Sequence, residues 1–279
     1  MAVTVQRRVL QQYYRFSLYN SPFDAHDEGC AIDLYPKGAR APSPVAGEVL
    51  DTKTVRAPPQ PYAADDDHLI LVDTGDHVAR LLHVKPVVGP GDTVAVGDDL
   101  GELVRAGFFA PWVPNHIHLG FRAPDANPYR AAGSLPLEAG VNIEALSWDG
   151  TGTVVETGET WARLDSPTHP APGERFVGLA AGHGADGGVL DGGLPHYARG
   201  GVLGGEGDGT AHLAGLRVGA ADGRTVAWDD ITVLANGDPV TGVALFCSRA
   251  DAGVKLVGEE VDLAVGERVE VSVAGQSSP

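Results

Sequence analysis

The sequence predicts an all-β fold, and three observations predict it. Short apolar runs alternate with polar residues at period two. Thirty-eight glycines and 20 prolines punctuate those runs at the spacing of tight turns. Stretches of helical period are scarce. The 279 residues are enough for two domains of ordinary size, each with its own core. The expected division is 1–140 and 150–279, the second an accessory β-rich region.

In chain order, Val3 to Leu10 reads as a strand, and Ser21-Pro22 as a turn. Phe23 to Pro36 is a polar loop carrying His26, then a short strand ending on Asp33. Ala41 to Leu50 is a turn and a strand, and Arg56 to Asp67 a Pro-rich, then acidic, loop. His68 to Asp73 and His77 to Val84 are two strands about a Thr74-Gly75-Asp76 turn, the second carrying His83. Val87 to Gly101 holds two glycine turns around a short strand, and Phe108 to Pro114 is an aromatic loop. Beyond the Pro-rich loop at Ala123 to Pro136, strand-like runs resume near Gly152. A long Gly/Pro/His loop is expected from Ser166 to Thr210, and strands and turns alternate from there to Ala274.

Asn115-His116-Ile117-His118-Leu119-Gly120-Phe121 carries the most information. As a strand it puts His116, His118 and Gly120 on one face and Ile117, Leu119 and Phe121 on the other. One face can be pinned to a core while two imidazoles stand side by side on the other. Neutral imidazole is a good zinc ligand, and a strand holds it rigidly. Taken alone, the pair serves equally well as two half-exposed strand histidines.

Charge is lopsided, 37 acidic against 20 basic residues, with a net charge of −17. Lysine occurs only at Lys37, Lys53, Lys85 and Lys255. This acidic, lysine-poor composition is similar to the salt-adapted style of haloarchaeal proteins, in which concentrated salt screens like-charge repulsion. With no basic stripe, nucleic acid is not an expected partner. No apolar run is long enough for a membrane span. Arg7-Arg8 is followed by no apolar stretch, so no signal peptide is read and cytoplasmic residence is the expectation. Two cysteines, Cys30 and Cys247, are too few for a disulfide framework.

The order His26, Asp33, His83, His116 and His118 resembles the lysostaphin-type zinc endopeptidases over roughly Phe23 to Leu137. Ala41-Pro42-Ser43-Pro44-Val45-Ala46-Gly47-Glu48-Val49 and Val88-Gly89-Pro90-Gly91-Asp92-Thr93-Val94-Ala95-Val96-Gly97-Asp98 are similar to that family's strand and glycine turn. The sequence departs from the pattern twice. The position four before Asp33 is Gly29 rather than histidine, and Leu81 replaces a tyrosine. The resemblance implies a barrel-sandwich-like antiparallel peptidase domain. It also implies one Zn²⁺ per chain on His26, Asp33 and His118, with His83 and His116 as catalytic residues and a peptide as substrate. One imidazole then takes the proton of the attacking water and the other bonds the developing oxyanion; which does which is left open. Oligomeric state is not readable.

Two other readings compete. Similar glycine turns occur in lipoyl- and biotinyl-type carriers, but those need a lysine at a hairpin tip, and Thr74-Gly75-Asp76 has none. The alternative is a non-catalytic peptidase-fold binding or regulatory module; retention of all five polar positions argues against it. His68, His77, His169, His183, His196 and His212 are read as strand-end or loop histidines, and Cys30 as a small apolar filler. Phe108, Phe109 and Trp112 are candidates for a groove wall.

Overall fold

The alternation at Ile117–Phe121 sorts one strand into two faces, and the first half of the chain is arranged around it. The structure is a computed structural model that describes residues 2–182, 187–205 and 209–275. Met1–Leu18 and Phe23–Val141 form one unit; Tyr19–Pro22 and Asn142–Pro279 form a second. Among the described residues strands dominate, and helix is limited to short turns. The all-β class is therefore as expected.

The first unit runs β1 (Val3–Gln6), α1 (Arg7–Leu10), β2 (Arg15–Ser17), a 3-10 turn (Asp24–Gly29), β3 (Ile32–Tyr35), β4 (Arg40–Pro42), β5 (Gly47–Arg56) and β6 (Asp66–Asp73). It continues with β7 (Val78–Leu82), β8 (Val84–Pro86), β9 (Thr93–Val94), β10 (Asp99–Leu103), β11 (Ile117–Arg122) and β12 (Leu137–Gly140). Its main sheet is curled and antiparallel, in the order β2-β3-β11-β7-β6-β5-β9. A smaller sheet orders β4-β10-β8, and β1 pairs in parallel with β12.

Register assigns the faces. Leu119 lies opposite Ile32 on one side and Leu81 on the other, and Leu81 lies opposite Ile70. All four are buried, and with Ile117, Leu34 and Val72 they make the core side of the sheet. On the opposite face His118 sits between Asp33 and Leu82, and Gly120 stands opposite Arg80. Leu81 is thus turned into the core, so its exchange for tyrosine leaves the polar face untouched.

Three expectations about elements need correction. The Val3–Leu10 strand stops at Gln6, and Arg7–Leu10 is one helical turn that buries Val9 and Leu10. His83 is not on the returning strand. It sits in a break between β7 and β8 at φ 68°, left-handed and unusual for a side chain with a Cβ. The expected loop from Ser166 to Thr210 contains β-strands Phe176–Leu179, Val189–Leu194 and Arg199–Leu203. Their glycines hide them from propensity reading but have a packing reason. A Cβ on Gly200 would come 1.9 Å from Trp228, and one on Gly201 2.2 Å from Tyr19. Aromatic rings lie where side chains would project. The second unit has its own apolar core, with Leu164, Leu190, Val243 and Leu256 among its members.

Candidate metal centre

Each ligand candidate is delivered by a different element. His26 lies in the 3-10 turn, where its backbone N–H donates to Phe23 O at 2.9 Å. Glu28 and Gly29, both left-handed at φ 57° and 68°, then swing the chain into β3. This turn takes up the longer spacing between His26 and Asp33. Asp33 lies within β3, directly across from His118 on β11. The three side chains meet: His26 Nε2 is 3.3 Å from Asp33 Oδ1, His118 Nδ1 is 3.1 Å from the same oxygen, and the two nitrogens are 3.0 Å apart.

The tautomer of His26 is set from outside. Its Nδ1–H donates to Leu18 O at 2.7 Å, which leaves the lone pair of Nε2 facing the carboxylate. Three donors of this kind suit zinc. Zinc bonds of about 2.0–2.1 Å at tetrahedral angles would put ligand atoms about 3.3 Å apart, close to the distances observed. His26, Asp33 and His118 form a cluster whose ligand atoms all lie within 4.8 Å of one another.

His116 immediately precedes β11. Its Nδ1–H donates to Pro114 O at 2.9 Å, and its Nε2 stands 3.5 Å from Asp33 Oδ1. His83 reaches the same place from the β7–β8 break; its ring centroid is 5.0 Å from that of His116 and 5.8 Å from that of His118. All five expected site residues therefore gather at one end of β11.

Burial governs the charges. It pushes His116 and His118 down to about 4, against the opposing pull of Asp33. Both imidazoles are neutral at pH 7, the form that binds metal. Burial acts to raise the Asp33 carboxyl, but His116, His26 and His118 outweigh it and hold the group well below the usual carboxylate range. His118 is the most open of the three ligand candidates, its side chain 12% exposed against 3% for the other two.

Aromatic rings line His116 and His83. Phe109 lies 4.6 Å from the His116 ring and 5.1 Å from the His83 ring, and Tyr35 is 5.2 Å from His116. Phe108 lies 6.1 Å from His83, and Trp112 packs in the same apolar cluster. Arg105 fixes this loop by donating to Ala110 O and Val113 O beneath the Phe109 ring.

One residue of the site was missed in the sequence. Asp67, fully buried, accepts the Nδ1–H of His83 at 2.7 Å. Its other oxygen accepts the backbone N–H groups of His83, at 3.0 Å, and His68, at 2.7 Å. The run Asp65-Asp66-Asp67 reads as a solvated loop. The available signal was that Asp67 abuts the apolar strand whose hairpin partner ends at His83. Cys30, His68, His77, His169, His196 and His212 join no metal-binding group among the described residues. His183 lies outside the described residues.

Residues 4–139 match the family model described as the N-terminal domain of a domain of unknown function, DUF8155. Residues 144–274 match the C-terminal domain of the same family. No curated protein matches the chain. Among solved structures the chain is similar to the solution structure of lysostaphin, with 13% identity and a TM-score of 0.28 over 59% of this chain and 87% of that one. No helix is long and apolar enough to cross a membrane among the described residues.

Proposed function

We propose that this chain, which belongs to the DUF8155 family, is a zinc-dependent endopeptidase. The observation that carries the reading is the convergence of His26 Nε2, Asp33 Oδ1 and His118 Nδ1, with His83 and His116 alongside. Three protein ligands leave a position for water and substrate, the arrangement of catalytic rather than structural zinc. Zinc bound there supplies Lewis acidity and lowers the pKa of water from about 16 toward about 7.

The chain's own residues carry the proton. His83 donates Nδ1–H to Asp67, so its Nε2 is a lone pair available to take a proton from the attacking water. Asp67 then stabilises the imidazolium and holds its orientation, as a carboxylate does behind a general-base histidine. His83 returns the proton to the leaving amine. His116, with Nδ1–H held by Pro114 O, presents Nε2 as a second acceptor that orients the water. Phe109 and Tyr35 keep bulk solvent from both rings.

The substrate is a peptide, and the working environment is concentrated salt, consistent with the net charge of −17. A peptide-library cleavage assay at molar salt, with and without a chelator, tests the activity. Chelator-sensitive cleavage at internal bonds supports it. Absence of cleavage by zinc-loaded protein points instead to a binding or regulatory module.

A further inference from the structure

The polar face of the main sheet continues past the metal centre to two arginines that the proposed chemistry does not use. Arg80 stands opposite Gly120 and is 6% exposed; Arg122, two residues further along β11, is 1% exposed. By alternation both share the face of His118. Burying guanidinium groups beside each other is costly unless an anion accompanies them. Neither makes an ion pair with an acid among the described residues. They donate instead to carbonyls of one loop, between β11 and β12. Arg80 Nε donates to Pro128 O at 2.6 Å, and Arg122 Nη2 to Arg130 O and Ala131 O at 2.7 and 3.1 Å. Arg122 Nε and Nη1 have no hydrogen-bond partner.

The loop lies over this face as a strap. Gly133, at φ 100°, lies close against Arg122: a Cβ there would come 3.0 Å from Nη1. Ser134 Oγ lies 2.9 Å from the Cβ position of Gly120. At its outer edge the strap is fastened by exposed groups: Tyr129 donates its hydroxyl to Asp51 at 2.8 Å, and Lys53 Nζ stands 3.8 Å over its ring. Neutral carbonyls occupy places where a carboxylate would bond two guanidiniums, which is the stronger pairing.

We infer that Arg80 and Arg122 form a carboxylate-binding subsite for an acidic peptide substrate, capped by the 123–135 strap until the peptide displaces it. The inference rests on the peptidase reading for the substrate's class. Strand rise of about 3.3 Å per residue places Arg80 about 7 Å and Arg122 about 13 Å along the sheet from His118. The recognised carboxylate therefore lies two to four residues from the scissile bond.

The test is peptide binding to the full chain carrying His83→Asn, which blocks turnover, read by fluorescence anisotropy. The probes are extended Ala/Gly peptides with glutamate two to four residues from the centre. Their glutamine counterparts are made with free and with amidated C-termini. Glutamate peptides are expected to bind at least ~10-fold tighter than amidated glutamine peptides. Arg80→Gln and Arg122→Gln are expected to abolish the preference, and Tyr129→Ala, which only unfastens the strap, to tighten binding several-fold. Tight binding of the glutamine peptide with a free C-terminus identifies a terminal carboxylate as the ligand. Equal affinity for all probes, or a preference that survives both arginine substitutions, overturns the subsite. If an arginine variant fails to fold, the wild-type preference and the Tyr129→Ala response still decide. Chelator-sensitive cleavage without acid preference defeats this inference alone; acid preference without cleavage by zinc-loaded wild type defeats only the peptidase reading.

Discussion

Asp67 grips His83 at two points: one carboxylate oxygen takes the ring Nδ1–H at 2.7 Å and the other takes the backbone N–H at 3.0 Å. The ring is therefore fixed in both tautomer and orientation by a residue sixteen positions earlier. Asp67→Asn retains the shape but forfeits the charge and can present an amide N–H to Nδ1. Turnover is expected to fall about 10²–10⁴-fold, with zinc content unchanged. A variant with wild-type kcat removes Asp67 from the mechanism.

His83 pays for its position with a left-handed backbone at φ 68°. Asparagine tolerates that region, whereas a β-branched residue does not. His83→Asn is expected to fold, bind zinc and lose turnover. His83→Val is expected to lose a further ~1–2 kcal/mol of stability by denaturant unfolding. Equal stability of the two variants would show that the left-handed backbone carries no such constraint.

Acid stability follows from buried imidazoles. Burial pushes His116, His118 and His196 down to about 4 in the folded chain, against about 6.5 when unfolded. Between those values the unfolded chain binds more protons, so stability rises with pH. Chelated protein should therefore lose stability as pH falls from about 6.5 to about 4, with unfolding taking up as many as about three protons. His196→Gln should reduce that uptake by about one. A flat dependence of ΔG on pH in this window contradicts the assignment of neutral buried histidines.

Salt should act through the net charge of −17. Screening of self-repulsion between acidic groups is expected to raise Tm steadily from low salt to molar KCl. Replacing a set of exposed Asp and Glu residues by Asn and Gln should flatten the dependence. A Tm that falls with added KCl counts against salt adaptation.

Much of the fold was legible because the core strands obey period two, as Ile117, Leu119 and Phe121 do. The ligand candidates were legible as residue types in order along the chain, although the 3-10 turn that brings His26 to Asp33 has no periodic signature. Asp67 was hidden within an acidic run, and only the hairpin's register separates it from its solvated neighbours. His83 read as a strand residue because its left-handed φ reflects a tertiary grip by Asp67 rather than local propensity. The glycine strands from Val189 to Leu203 were missed because their side-chain volume is supplied by Tyr19 and Trp228, distant in sequence. Arg80 and Arg122 carry no sequence signal of their own; the register of β7 and β11 places both on the face of His118.

In the proposed site His118 holds zinc while its neighbour His116 does not. Zinc content of the purified full chain, measured for wild type, His118→Ala and His116→Ala, tests it most directly. Stoichiometric zinc is expected in wild type and in His116→Ala, which should have lost turnover, with none in His118→Ala. Absence of zinc from wild type, or equal retention by the two variants, contradicts the proposed metal site.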